Sequence, residues 1–90
     1  MVKLRLFASL REVAGAKEVE IEGDGLSIKQ ALESLVGRFG EKAQRILFDQ
    51  QGDLWPSVLL LVNGEATDGG QETLVKSGDV VSVLLPTAGG

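Results

Sequence analysis

Ser27-Ile28-Lys29-Gln30-Ala31-Leu32-Glu33-Ser34-Leu35-Val36-Gly37-Arg38-Phe39-Gly40 is the stretch on which the architecture turns. Ile28, Ala31, Leu32, Leu35, Val36 and Phe39 recur at i, i+3, i+4, i+7, i+8 and i+11, which is one apolar stripe along an α-helix. Ser27 with Gln30 three residues on is a capping-box pattern, and Gly23-Asp24-Gly25 before it reads as a turn. Gly40 is placed to end the helix, because glycine accepts the left-handed backbone of a C-terminal cap. Gly37 costs up to about 1 kcal/mol in helix propensity, so early fraying or a close packing contact is expected there. A single stripe covers one face of one sheet, so the flanking segments are read as strands that bury one side against it.

Upstream, residues 2–8 alternate, with Val2, Leu4 and Leu6 on one face and Lys3, Arg5 and Phe7 on the other. Residues 17–22 repeat the pattern, Val19 and Ile21 against Glu18, Glu20 and Glu22. The intervening Arg11-Glu12-Val13-Ala14-Gly15 reads as a loop or a single helical turn, which makes the two strands a hairpin-like pair. The glutamates form a solvated face, and their charge discourages edge-to-edge aggregation. Alternating strand carboxylates stay spread along that face, which argues against a metal site.

Downstream, Glu41 to Phe48 reads as a second, short helix, and Asp49-Gln50-Gln51-Gly52-Asp53 as a turn. Trp55 before Pro56 is placed to close an edge of the core, or else to contact a partner. Val58-Leu59-Leu60-Leu61-Val62 shows no alternation, so it is a strand buried on both faces or one with a buried face and an interface. Asn63-Gly64 is a tight-turn dipeptide. Thr67 to Gly70 reads as loop, Glu72 to Val75 as a helical turn, and Lys76 to Asp79 as a turn. Val80 to Leu85 is the last strand, ended by Pro86, which cannot donate to a ladder. The fold class is therefore α+β, a mixed sheet of four to five strands packed on one main helix. Residues 1–85 form the domain and residues 86–90 a tail. The second sheet face lies uncovered, and Phe7 with one face of each of the last two long strands makes it an expected interaction surface.

Composition narrows the chemistry. Ninety residues make one small domain. The chain has neither Cys nor His, so disulfides, thiolate metal sites, a Cys nucleophile and His acid–base catalysis are excluded on it. A net charge of −4 offers no basic footprint for nucleic acid. The alternating start has no signal-peptide character, and the longest apolar run, Val58 to Val62, is too short for a membrane span. A cytoplasmic protein is expected.

The tail is Pro86-Thr87-Ala88-Gly89-Gly90. Two glycines leave a terminal carboxylate on a thin arm without Cβ atoms, able to thread a narrow channel in another protein. That suits a carboxylate that is itself the reagent. The plainer reading is an ordinary frayed end.

Several blocks, in order, resemble one family. Leu6-Phe7-Ala8-Ser9-Leu10-Arg11-Glu12-Val13-Ala14-Gly15 is similar to the opening of MoaD/ThiS-like sulfur carriers, of which the molybdopterin synthase small subunit is one. Val62-Asn63-Gly64-Glu65, Ser77-Gly78-Asp79-Val80-Val81 and Leu85-Pro86-Thr87-Ala88-Gly89-Gly90 resemble its middle and closing blocks. Phe48-Asp49-Gln50-Gln51-Gly52-Asp53-Leu54 is similar to a stretch of the small archaeal modifier proteins. Both groups have the ubiquitin-like β-grasp fold, in agreement with the element order above.

The resemblance implies carrier chemistry. An E1-like adenylating enzyme, using ATP, would activate the Gly90 carboxylate, and a sulfur donor would convert the adenylate to a thiocarboxylate. The chain itself would bind no cofactor and catalyse nothing. Gly90 would be the reactive residue, Gly89 the spacer, and Pro86, Thr87 and Ala88 the rest of the arm. Phe7 matches the family's exposed aromatic on the docking face, and Arg11 a position that is basic in many carriers. Arg11 is then either a solvated loop arginine or a partner for acidic groups. The implied partners are the large, catalytic subunit of molybdopterin synthase and the adenylating enzyme. Lysines of target proteins would replace the former if the chain were a modifier. The ending departs from the family pattern in having one proline, between Leu85 and Thr87, where two are usual.

Overall fold

A computed structural model of the chain describes residues 1–85. Its main helix, α2 (Ile28–Phe39), begins at Ser27 with both bonds of the capping box in place. The Gln30 N–H donates to Ser27 Oγ at 3.1 Å, and the Ser27 N–H donates to Gln30 Oε1 at 2.9 Å. Gly40 ends it at φ +82°, with its N–H on the Val36 carbonyl. Gly37 causes neither of its expected effects. The helix continues through it to Phe39, and a Cβ built there meets nothing within 4 Å. Its exposed place on the outer side explains why no packing contact forms.

Five strands form the sheet that α2 covers. They are β1 (Val2–Leu6), β2 (Glu18–Ile21), β4 (Leu59–Val62), β5 (Glu65–Ala66) and β7 (Val80–Leu84), in the order β2-β1-β7-β4-β5. The central strand β7 runs parallel to its neighbour β1, and every other neighbouring pair is antiparallel. A parallel pair needs a crossover connection, and the chain between them carries α2 across the sheet. Ile28, Ala31, Leu32 and Leu35 of α2 are buried in one core with Val2, Leu4, Leu6, Val19, Ile21, Leu60, Val81 and Val83 from the sheet. Full burial of each large aliphatic side chain stabilises the fold by about 1.5–3 kcal/mol.

Two local readings are corrected. The helical alternative for residues 11–15 holds and extends further than expected: Ala8, read as strand, already begins a two-turn helix, α1 (Ala8–Ala14), closed by Gly15 at φ +70°. Leu10 goes into the core, and the apolar spacing Leu10, Val13, Ala14 gives the helix its inner side. Residues 72–75 do not form a helical turn. A 3₁₀ turn occupies Gly70–Glu72, and β6 (Leu74–Val75) then pairs antiparallel with β3 (Leu26–Ser27) in a separate two-stranded sheet. That pairing brackets the start of α2, where the Ile28 N–H also donates to the Thr73 carbonyl at 2.9 Å. The second short helix is present as α3 (Glu41–Leu47), and Asn63-Gly64 turns β4 into β5 with both residues at positive φ.

Candidate partner-docking face

The face of the sheet turned away from α2 can be written row by row from the strand register. Across its middle run Glu18, Arg5, Ser82, Leu61 and Ala66, each paired with the next. Toward one end stand Lys3 and Val80, and toward the other Leu84 and Leu59. These residues alternate with the buried Val2, Leu4, Leu6, Val81, Val83 and Leu60, so they share the opposite side of the pleat. Leu59 is 50% exposed. The segment 58–62 therefore has one buried face and one open one, which rules out burial on both faces.

Charge divides this face. Lys3 Nζ and Arg5 Nε both approach Glu18, at 3.8 and 3.7 Å, on the β1–β2 side. Such exposed pairs add little to stability and are screened by salt. Leu59, Leu61, Val80 and Leu84 make the other side apolar. Ser82 sits between the two, 8% exposed, with Arg5 and Leu61 as its cross-strand neighbours.

Phe7 stands at the end of this face. It follows β1 with φ −137° and ψ 159°, so the pleat continues through it and sets it on the side of Lys3 and Arg5. Its ring is half-buried, with the Arg5 Cζ 5.8 Å and the Arg11 Cζ 5.2 Å from its centroid. Arg11 returns from α1 to donate its Nε–H to the Leu6 carbonyl at 3.1 Å. The structure thus brings Phe7 and Arg11 together, and adds Arg5, which sequence reasoning missed. Its signal was in the alternation, because Arg5 and Phe7 are neighbours on one side of a strand.

Because β1 and β7 are parallel, β7 ends at the same edge as Phe7. Leu85 follows it and packs on the core. The calls on Pro86, Thr87, Ala88, Gly89 and Gly90 lie outside the described residues. Trp55 lies in the loop that follows α3: its indole N–H donates to the Arg45 carbonyl at 3.0 Å, and it remains 42% exposed. It ties the loop to α3 more than it closes the core. Among the described residues, no helix is long and apolar enough to cross a membrane.

The apolar half of the face meets the Arg5 and Arg11 guanidinium groups at the edge where β7 ends, the arrangement expected of a candidate protein-docking surface. The ThiS family model matches residues 4–90, nearly the whole chain. The chain belongs to the ThiS family. Small archaeal modifier protein 1 of Haloferax volcanii is 37% identical over 87 residues, covering 96% of this chain and 97% of the relative. A crystal structure of SAMP1 from Haloferax volcanii superposes with a TM-score of 0.85 at 32% identity, covering 99% of this chain and 98% of that one. A Pyrococcus furiosus chain provisionally named molybdopterin converting factor, subunit 1, has a TM-score of 0.73 at 32% identity, over 96% and 97% of the two chains. The fold of this ThiS-family chain is thus the ubiquitin-like β-grasp, and its relatives include small archaeal modifier proteins and an Archaeoglobus fulgidus chain provisionally named a sulfur carrier. ThiS-family members of this kind are small carrier chains without catalytic activity of their own.

Proposed function

We propose that this chain is a sulfur carrier, the small subunit of a molybdopterin synthase, bearing sulfur as a thiocarboxylate on Gly90. The observation that carries the reading is the docking face, an apolar surface that leads into the Gly-Gly tail at the edge marked by Phe7. The ordered family match over residues 4–90 supports it. A carboxylate at neutral pH is a poor electrophile. One of its oxygens attacks the α-phosphorus of ATP, pyrophosphate leaves, and the acyl-adenylate that results has AMP as a good leaving group. A sulfide-equivalent nucleophile then displaces AMP. The groups that stabilise charge in these steps come from the partner enzymes. The thiocarboxylate end would enter the large subunit and give its sulfur to the pterin, in the cytoplasm.

The second reading is a modifier. The same adenylate would be taken by a lysine amine, forming an isopeptide bond and releasing AMP. The likeness to small archaeal modifier protein 1 over 96% of the chain favours it specifically.

Intact mass of the chain purified from its host without reductant tests both. One oxygen replaced by sulfur at Gly90 supports the carrier, and Gly90 joined to lysines of other proteins supports the modifier. A Gly90 deletion that folds and still sustains molybdopterin formation would sink the carrier mechanism. Absence of ATP–pyrophosphate exchange with any adenylating enzyme of the host would sink both readings.

A further inference from the structure

We propose that Arg11 is a positioning residue, which fixes Phe7 in the pose that a partner meets. The inference rests on the docking reading of the sheet face and adds to it the part that Arg11 plays there. A basic residue beside a docking surface is ordinarily read as a charge offered to an acidic partner. Here its guanidinium is engaged within its own chain.

Three features combine. The Arg11 Nε–H is bonded to the Leu6 carbonyl, the residue just before Phe7, so the guanidinium is tied to the backbone that carries the ring. Its Cζ is 5.2 Å from the ring centroid, within the range of cation–π attraction. Ala8 takes φ +52°, an uncommon conformation for alanine, and this turn carries the chain off the strand into α1. Arg11 lies one helical turn beyond Phe7, and its N–H donates to the Phe7 carbonyl at 3.4 Å. The strained turn therefore returns Arg11 to the ring that the strand presents. Among the described residues, Arg11 forms no ion pair, whereas Arg5 approaches Glu18.

A ring held before association loses less rotamer freedom on binding, and a partner meets one preformed aromatic anchor. Lysine cannot reproduce this. It lacks the planar fork and the Nε–H, although it keeps the charge.

The test measures affinity for the host adenylating enzyme that exchanges ATP and pyrophosphate in response to this chain. The full-length variants are Arg11→Lys, Arg11→Gln, Phe7→Leu and the double variant Arg11→Gln/Phe7→Leu. Positioning predicts that Arg11→Lys and Arg11→Gln both weaken binding, by about two- to five-fold, because neither keeps the Nε–H bond that fixes the cation over the ring. In the Phe7→Leu background, Arg11→Gln should then change nothing. Rescue by Arg11→Lys, or an Arg11 effect that survives Phe7→Leu and grows at low salt, would overturn the proposal in favour of a direct charge contact. A second measurement needs no partner. In the free chain, the Arg11 Nε–H resonance should be shielded by the ring and protected from exchange, and Phe7→Leu should remove the shielding. A resonance indifferent to Phe7→Leu overturns the proposal even where binding is intact. Wild-type chain that fails to bind the enzyme counts against the docking reading alone, and the resonance still decides the clamp.

Discussion

Asn63 is clamped to Asp79: its Nδ2 donates to Asp79 Oδ1 at 3.1 Å, and its own Oδ1 accepts the Val80 N–H at 3.0 Å. Asp79 Oδ2 accepts the Lys76 N–H at 2.8 Å. The two residues join the β4–β5 turn to the turn that launches β7. Asn63 has φ +51°, a conformation that asparagine tolerates better than other non-glycine residues.

These bonds are made to a carboxylate, and they set a pH dependence. The backbone N–H of Lys76 first, then the Asn63 amide, hold the Asp79 carboxyl below its ordinary range. With the folded pKa depressed, the native state binds fewer protons than the unfolded chain in this window. The stabilisation is present above the unfolded value of about 3.9 and is lost as pH falls through the lower folded value. Urea unfolding of the wild type and Asp79→Asn at a series of pH values between about 5 and 2 should show the wild-type advantage shrinking on acidification. A constant difference between the two would count against this role.

The capping box makes a separate prediction. Ser27 and Gln30 satisfy two backbone donors at the start of α2, so Ser27→Ala should destabilise the fold by about 1 kcal/mol, and Ser27→Asp by much less. Thermal or denaturant unfolding reads this directly. A Ser27→Ala chain as stable as the wild type would show that the β3–β6 pairing alone fixes the helix start.

Core and docking face should separate cleanly. Leu32 is wholly buried, and Leu32→Ala should cost about 2–5 kcal/mol. Leu59 is half-exposed on the open face, and Leu59→Asp should leave stability within about 0.5 kcal/mol. The same change places a carboxylate in the apolar half of the face, and should weaken binding to the adenylating enzyme by roughly tenfold or more. Unaltered binding by a folded Leu59→Asp chain would move the interface elsewhere.

How much of this was legible follows from the lengths of the elements. The α2 stripe is long and capped, and the alternation of Val2, Leu4 and Leu6 with Lys3 and Arg5 is regular, so helix, strands and open face could all be read from local pattern. β3 and β6 contain two residues each, too few for any period, and exist because Leu26 meets Val75 across the fold. The start of α1 carries no polar cap: Phe7 occupies that position without a side-chain bond, and strand alternation runs through it. The clamp on Phe7 was hidden for the same reason, since Arg11 reaches the ring only after Ala8 turns the chain.

Ala8 itself gives the last prediction. A left-handed alanine costs about 1–2 kcal/mol relative to ordinary helical backbone, because Cβ crowds the following carbonyl. Ala8→Gly removes that crowding, but it also gives the unfolded chain about 0.4–1 kcal/mol more entropy to lose. The net effect should lie between neutral and about 1.6 kcal/mol of stabilisation. Ala8→Val should destabilise by at least about 1–2 kcal/mol, because a β-branched residue at this φ is a steric outlier. The order of unfolding midpoints should be Gly at or above Ala, and Val below both. A valine chain as stable as the wild type would mean that residue 8 leaves the left-handed region at little cost, and that the turn from β1 into α1 is not fixed by it.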